Sequence, residues 1–205
     1  MSTHEYPKSV SLKDGRSVDL RPLASEDFTR LHEFFVALPE EDRIFLRHDV
    51  TDPEVVRKWT DGLDLDRVFP LVAVDGEKIV ADGTLHTSAH GWTRHVGQLR
   101  LVTARSHRHQ GLGALIAREL VEVARERNLE KLQAQVIEDD AGALRMLDAV
   151  GFKQVAVLKD TVKDTKGEVR NMLVMQNDVA DLSRIMEDWI QDSMIPAFRV
   201  PGAGA

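Results

Sequence analysis

Between Arg105 and Leu120 the sequence reads RSHRHQGLGALIAREL. Two glycines, Gly111 and Gly113, stand one residue apart, behind a basic cluster and ahead of a helical pattern. The first turn of a helix leaves backbone N–H groups unpaired and carries partial positive charge. It holds phosphate wherever side chains leave the approach open. Gly111 and Gly113 clear that approach, and His107, Arg108 and His109 add local cationic character. No Lys-Ser or Lys-Thr pair follows the glycines, so the run is not a P-loop. Ile116 stands where a dinucleotide fingerprint wants its third glycine. Taken alone, the glycines also fit a tight strand-to-helix turn that needs them only for packing.

Other reactive side chains narrow the chemistry. The sequence contains no cysteine, which rules out disulfides, thiolate ligands and a cysteine nucleophile. His86, His90 and His95 are close in sequence, but a turn separates them and no carboxylate partner accompanies them, so no metal site is expected. Aromatic and methionine stripes elsewhere read as core.

The elements that must position these groups follow from periodicity. KSVSLKDGRSVDLRPL reads as a hairpin turning at Asp14-Gly15. Ser25 is expected to cap a helix from Glu26 to Leu38, and Asp52 one that begins at Pro53. A strand, an Asp75-Gly76 turn and a second strand come next, then a strand from His95 to Thr103. From Gly111 the period changes to that of a helix, with Leu112, Leu115, Ile116, Leu120, Val123 and Ala124 on one face. KLQAQVIE is a strand, Ala141 to Val150 a short helix, and two strands turn at Lys166-Gly167. Asp181 to Gln191 is an amphipathic helix with Leu182, Ile185, Met186 and Ile190 inward. This order predicts an α/β (α+β) domain with a mixed, mostly antiparallel sheet and one parallel step.

The chain has 205 residues and a formal net charge of −7, with 42% hydrophobic and 30% charged residues. That is enough for one domain with a real core. The acidic balance argues against a nucleic-acid or membrane-surface partner. Neither a run of about 18 apolar residues nor a charged-then-apolar leader is seen, so a cytoplasmic protein is expected. The closing RVPGAGA reads as a flexible tail.

The glycine run fits the pattern R/Q-x-x-G-x-G/A, and resembles the acyl-CoA pyrophosphate loop of the GNAT N-acetyltransferases. EDDAGALRMLDAVGF is similar to the second motif of that family, with Asp140 and Ala143 at its Asn and Ala positions and Gly151-Phe152 at its end. LKDGRSVDLRPLASED and LKDTVKDTKGEVRNMLVM are similar to the opening and closing segments of bacterial protein-lysine acetyltransferases in the family. The resemblance spans residues 8 to 177. It implies a GNAT domain over 1–177, with a C-terminal helix and tail over 178–205, and a sheet splayed where acyl-CoA lies. Backbone N–H groups of His109, Gln110, Gly111, Leu112, Gly113 and Ala114, beside Arg108, would hold the pyrophosphate. Leu101, Val102 and Thr103 would pair with the pantetheine amides as an added strand. Asp140 and Ala143 would meet the pantetheine arm or the incoming amine.

The resemblance also sets a chemical problem. A lysine ε-amine must lose its proton before attacking a thioester, at a cost of about 4 kcal/mol near neutral pH. Gln98 occupies the position of the family's glutamate base, and Leu147 that of its tyrosine acid. The only tyrosine, Tyr6, lies outside the matched region. Glu138 is the expected substitute base, with Asp139 beside it; His86, His90 and His95 would line the opening. The implied activity is transfer of acetyl from acetyl-CoA to a primary amine of a protein or small molecule, by direct attack and without metal. The C-terminal amphipathic helix would pack either on its own domain or on a partner, as in a homodimer. The alternative is a catalytically weak acyl-CoA-binding or sensor module, which Gln98 and Leu147 favour.

Overall fold

A computed structural model describes residues 5–44 and 46–191, with side chains through residue 185. The hairpin of β1 (Lys8–Ser11) and β2 (Ser17–Pro22) turns at Gly15 in the left-handed region, φ 87°. Three helices follow: α1 (Phe28–Ala37), α2 (Glu40–Arg43) and α3 (Pro53–Asp61). Then come β3 (Val68–Asp75), β4 (Lys78–His86) and β5 (Val96–Thr103). Helix α4 (Leu112–Glu126) crosses over to β6 (Lys131–Ile137). Finally α5 (Ala141–Ala149), β7 (Lys153–Lys163), β8 (Val169–Asp178) and α6 (Val179–Gln191) complete the described chain.

The strands form one sheet in the order β1-β2-β3-β4-β5-β6-β8-β7. Among the described strands only β5 and β6 run parallel. That pairing needs a crossover, which α4 supplies with the stripe expected from its sequence: Leu112, Leu115, Ile116, Leu120, Val123 and Ala124 are all buried. Helix α4 lies so close to β4 that a Cβ on Gly83 would collide with the Ile116 side chain. The opposite face of the sheet carries α1 and α3, whose Phe34, Phe35 and Val56 form a second cluster with Val72 and Val74. Strand β3 is therefore apolar on both faces, its Leu71 and Ala73 joining the α4 side.

Three local readings differ from expectation. Ser25 does not cap α1: Ser25–Asp27 is a 3₁₀ turn, and Asp27 accepts from the Ala24 N–H while gripping Arg21 at 2.6 and 2.7 Å. Helix α2 carries only charged residues and no apolar period, so no sequence pattern announced it. Val179 and Leu182 lie in the main core and α6 packs on α4, so this helix shares the core of the preceding domain. The inward placement expected of Met186 and Ile190 concerns side chains outside those described, and the tail lies outside the described residues altogether.

Candidate active site

The parallel pairing is short. It runs from Val96↔Lys131 to Leu99↔Ala134 and stops, while β5 continues to Thr103 and β6 to Ile137. Beyond Leu99 the strands part, and Arg100–Thr103 pair only with β4. The freed edge of β5 offers backbone groups to an extended ligand, as an edge strand does. A cavity of about 1700 Å³ follows this opening, and its lining includes Leu101, Val102, Thr103, Ala143 and Met146.

The glycine loop closes one end of it. His109 (φ 62°) and Gly111 (φ 86°) are both left-handed, which folds successive N–H groups into a concave turn suited to an anion. No side chain caps α4; its first hydrogen bond is Leu115 N–H to the Gly111 carbonyl at 3.1 Å. The N–H groups of Leu112, Gly113 and Ala114 thus belong to an uncapped first turn on the cavity wall. A Cβ on Gly111 would have only the flexible Lys13 chain near it, so the approach is open. These features fit a pyrophosphate. Lys13 N–H to the Gln110 carbonyl, 3.2 Å, anchors the loop to the first hairpin.

Arg108 lines the cavity, with its guanidinium held by protein partners. Its Nε donates to the Thr103 carbonyl at 3.0 Å and its guanidinium to Asp42 at 2.7 Å, so it fixes the loop between β5 and α2. Asp140 also lines the cavity. Its carboxylate caps α5 by accepting from the Ala143 N–H at 2.9 Å. Leu147 is buried, and Tyr6 lies beside Glu119 on α4, outside the cavity lining.

Glu138 does not line the cavity. Both its oxygens are taken by Asn171, from the backbone N–H at 2.9 Å and from Nδ2 at 2.8 Å. Those bonds hold its pKa below the usual carboxylate range, making it a weaker base. Gln98 does line the cavity, where its Oε1 accepts from Arg100 at 3.2 Å.

The polar face of β4 and β5 supplies what the motifs did not reveal. Asp82, Thr84 and His86 alternate with buried Ala81, Gly83 and Leu85, and stand opposite Val102, Arg100 and Gln98. Asp82 is half-buried on the cavity wall and has no hydrogen-bond or ion-pair partner among the described residues. Burial pushes its carboxyl up to about 7. His86 meets the Thr84 hydroxyl at 3.0 Å. Burial, then the charges of Arg100 and Arg47, pushes its imidazole down to about 4. The signal in the sequence was a carboxylate inside the apolar strand KIVADGTLH, but alternation alone does not say which face meets a cavity. His90 and His95 are not on this cavity; His95 lines a smaller depression with Trp92 and Arg127. Among the described residues no three His, Asp or Glu side chains are grouped to hold a metal.

A parallel strand pair that splays beside an uncapped, glycine-opened helix defines an acyl-CoA-binding fold. A family model described as the acetyltransferase (GNAT) family matches residues 24–152, which contain the glycine loop, the β5–β6 opening and Asp82. The chain belongs to that family, and is an acyl-CoA-dependent N-acetyltransferase with acetyl-CoA as cosubstrate. Solved structures share the fold. The ribosomal-protein-alanine N-acetyltransferase from Brucella melitensis superposes with a TM-score of 0.66 at 23% identity, covering 78% of this chain and 98% of that one. The GNAT domain of S. lividans PAT gives 0.69 at 20% identity, over 85% and 99% of the two chains. The yncA protein from Salmonella typhimurium, solved with acetyl-CoA, gives 0.68 at 15% identity, over 79% and 94%. No described helix is long and apolar enough to cross a membrane.

Proposed function

We propose that this protein acetylates a primary amine by direct attack within a ternary complex, with Asp82 taking the proton. The observation that carries this reading is an unpartnered, half-buried carboxyl on the same cavity as the glycine loop. Acetyl-CoA supplies the acyl group and a thiol leaving group. The uncapped turn from His109 to Ala114 binds its pyrophosphate, and the edge at Leu101–Thr103 aligns its pantetheine arm. The acceptor enters over the polar face of β4 and β5. There Asp82 receives the proton that nitrogen loses, directly or through one water, as the C–N bond forms and the C–S bond breaks. A base with pKa near 7 is ionised in a useful fraction at neutral pH yet still binds a proton well. Glu138 lacks that balance because Asn171 occupies it. Leu147 provides no acid, but a thiol ionises near pH 8.5 and needs little help to leave.

The test is the pH dependence of thiol release from acetyl-CoA across a panel of amines, with CoA affinity measured by calorimetry. In the wild type kcat rises with pH through an inflection near 7. Asp82→Asn should lose that inflection and about 10²–10⁴ in kcat, with CoA affinity unchanged. An unaltered profile in Asp82→Asn removes Asp82 from the reaction. Tight CoA binding with no amine acetylated would support the acyl-CoA-binding module instead.

A further inference from the structure

Two arginines face the acceptor side of this cavity without an acid to meet them. Arg100 is half-buried on β5, and its guanidinium bonds only to the neutral Gln98 Oε1, at 3.2 Å. Arg47, in the connection between α2 and α3, reaches across the opening to the neutral Gln135 Oε1 on β6, at 3.1 Å. Both line the cavity, and neither has a carboxylate within ion-pair distance among the described residues. They are close enough to act on each other and on His86. Burial first, then the Arg47 charge, lowers the pKa of Arg100. Asp82 feels neither arginine: burial alone sets its pKa.

Two like charges, one half-buried and each bonded only to a neutral amide, are an unfavourable arrangement in the free protein. A bound anion reverses the sign of that repulsion and satisfies the forked donors. A pyrophosphate is already accommodated at the far end of β5 by the glycine loop, so this anion belongs to the acceptor. We propose that Arg47 and Arg100 form a carboxylate subsite, so that the amine acceptor carries a carboxylate about one residue from its reactive nitrogen. The spacing follows from the register. Arg100 stands two residues from Val102, the partner of Asp82, which is about 6.6 Å along a strand. A side-chain carboxylate on the residue beside the amine spans that length. Gln98 is then a positioning residue, orienting the Arg100 guanidinium without neutralising it. A glutamate at 98 would instead occupy Arg100 itself.

The proposal rests on the acetyltransferase reading, and the experiment separates the two. Matched peptides that differ only by Glu or Gln beside the amine are titrated calorimetrically into CoA-saturated protein. Both α-amine and lysine ε-amine series are used, each as a dipeptide and a hexapeptide to distinguish small-molecule from polypeptide acceptors. Thiol release is measured on the same peptides with acetyl-CoA. The acidic member of one series should bind about tenfold more tightly than its amide, or about 1.4 kcal/mol. Arg100→Gln and Gln98→Glu should abolish the preference, Arg47→Gln should reduce it and Arg100→Lys should retain part of it. CoA affinity should not change in any of them. Equal affinity for Glu and Gln peptides in both series overturns the subsite, as does a preference that survives Arg47→Gln and Gln98→Glu. Arg47 is exposed, so its variant keeps the test decisive should Arg100→Gln fail to fold. A preference without turnover sustains the subsite and defeats the acetyltransferase reading; turnover without a preference does the reverse.

Discussion

Asp82 destabilises the fold that holds it. Its folded pKa, about 7, lies above the unfolded value near 3.9. Below pH 4 the carboxyl is protonated in both states and costs nothing. As pH rises from about 4 to about 7 the unfolded chain releases the proton and the folded one retains it, so stability falls. Asp82→Asn should therefore be more stable than the wild type near pH 8, by up to about 4 kcal/mol, with the gain shrinking toward pH 4. Urea unfolding at a series of pH values measures this; a variant less stable at every pH would mean that the carboxylate has a partner. Glu138→Gln has the opposite character: losing an acceptor for Asn171 should lower stability slightly and leave kcat near the wild-type value. At this scale the sequence displayed its departures from the family pattern, at Gln98 and Leu147, better than the surroundings that make Asp82 the proposed base. A carboxylate's worth as a base depends on its neighbours, and those of Asp82 and Glu138 come from other strands.

The glycine loop and the helix it opens were legible because their requirements are local. Gly111 adopts φ 86°, which a β-branched residue resists, and α4 shows its apolar stripe in the residue spacing alone. Gly111→Val should cost about 1–2 kcal/mol of stability and weaken CoA binding by a larger factor, read by thermal unfolding beside calorimetry. CoA affinity equal to wild type in the folded variant would remove the loop from the site. Helix α5 offers a separate check on Asp140. Since Asn caps nearly as well as Asp, Asp140→Asn should be neutral in stability while Asp140→Ala loses about 1 kcal/mol. Elements with no period stayed hidden. Helix α2 has four residues and no apolar face, yet its Asp42 holds Arg108, and so the loop, in place.

Across the whole sheet, the order of hairpins, helices and the one parallel step could be read from the chain, since each strand either turns on a glycine or meets a helix. The splay could not be derived from periodicity; only the family resemblance implied it. Where a pairing stops is decided by how α4, α5 and the strands pack together. Four residue pairs, Val96↔Lys131 to Leu99↔Ala134, join the β1–β5 half to the half made of β6, β8 and β7. A ligand that lies along the freed edge couples to both halves. CoA at a hundredfold excess over its Kd should raise stability by about 2.7 kcal/mol. It should also slow hydrogen exchange at those amides of Leu101–Thr103 that point away from β4. Stabilisation without slower exchange there would place the pantetheine arm elsewhere.

The same four-pair seam has a consequence for how the chain reaches its native state. β1–β2, β3–β4 and β7–β8 are hairpins closed by short turns, whereas β5 meets β6 only after all of α4 has been laid down. Contacts of long sequence separation are slow to form, and here few pairs reward the closure. The β2–β3 junction has the same character, with four pairs from Asp19↔Val74 to Pro22↔Leu71 of still longer separation, so these two seams are the late joins in folding and the early ones to open. Truncating Leu99 or Leu132, the buried residues along the β5–β6 seam, should speed unfolding and leave the folding rate almost untouched.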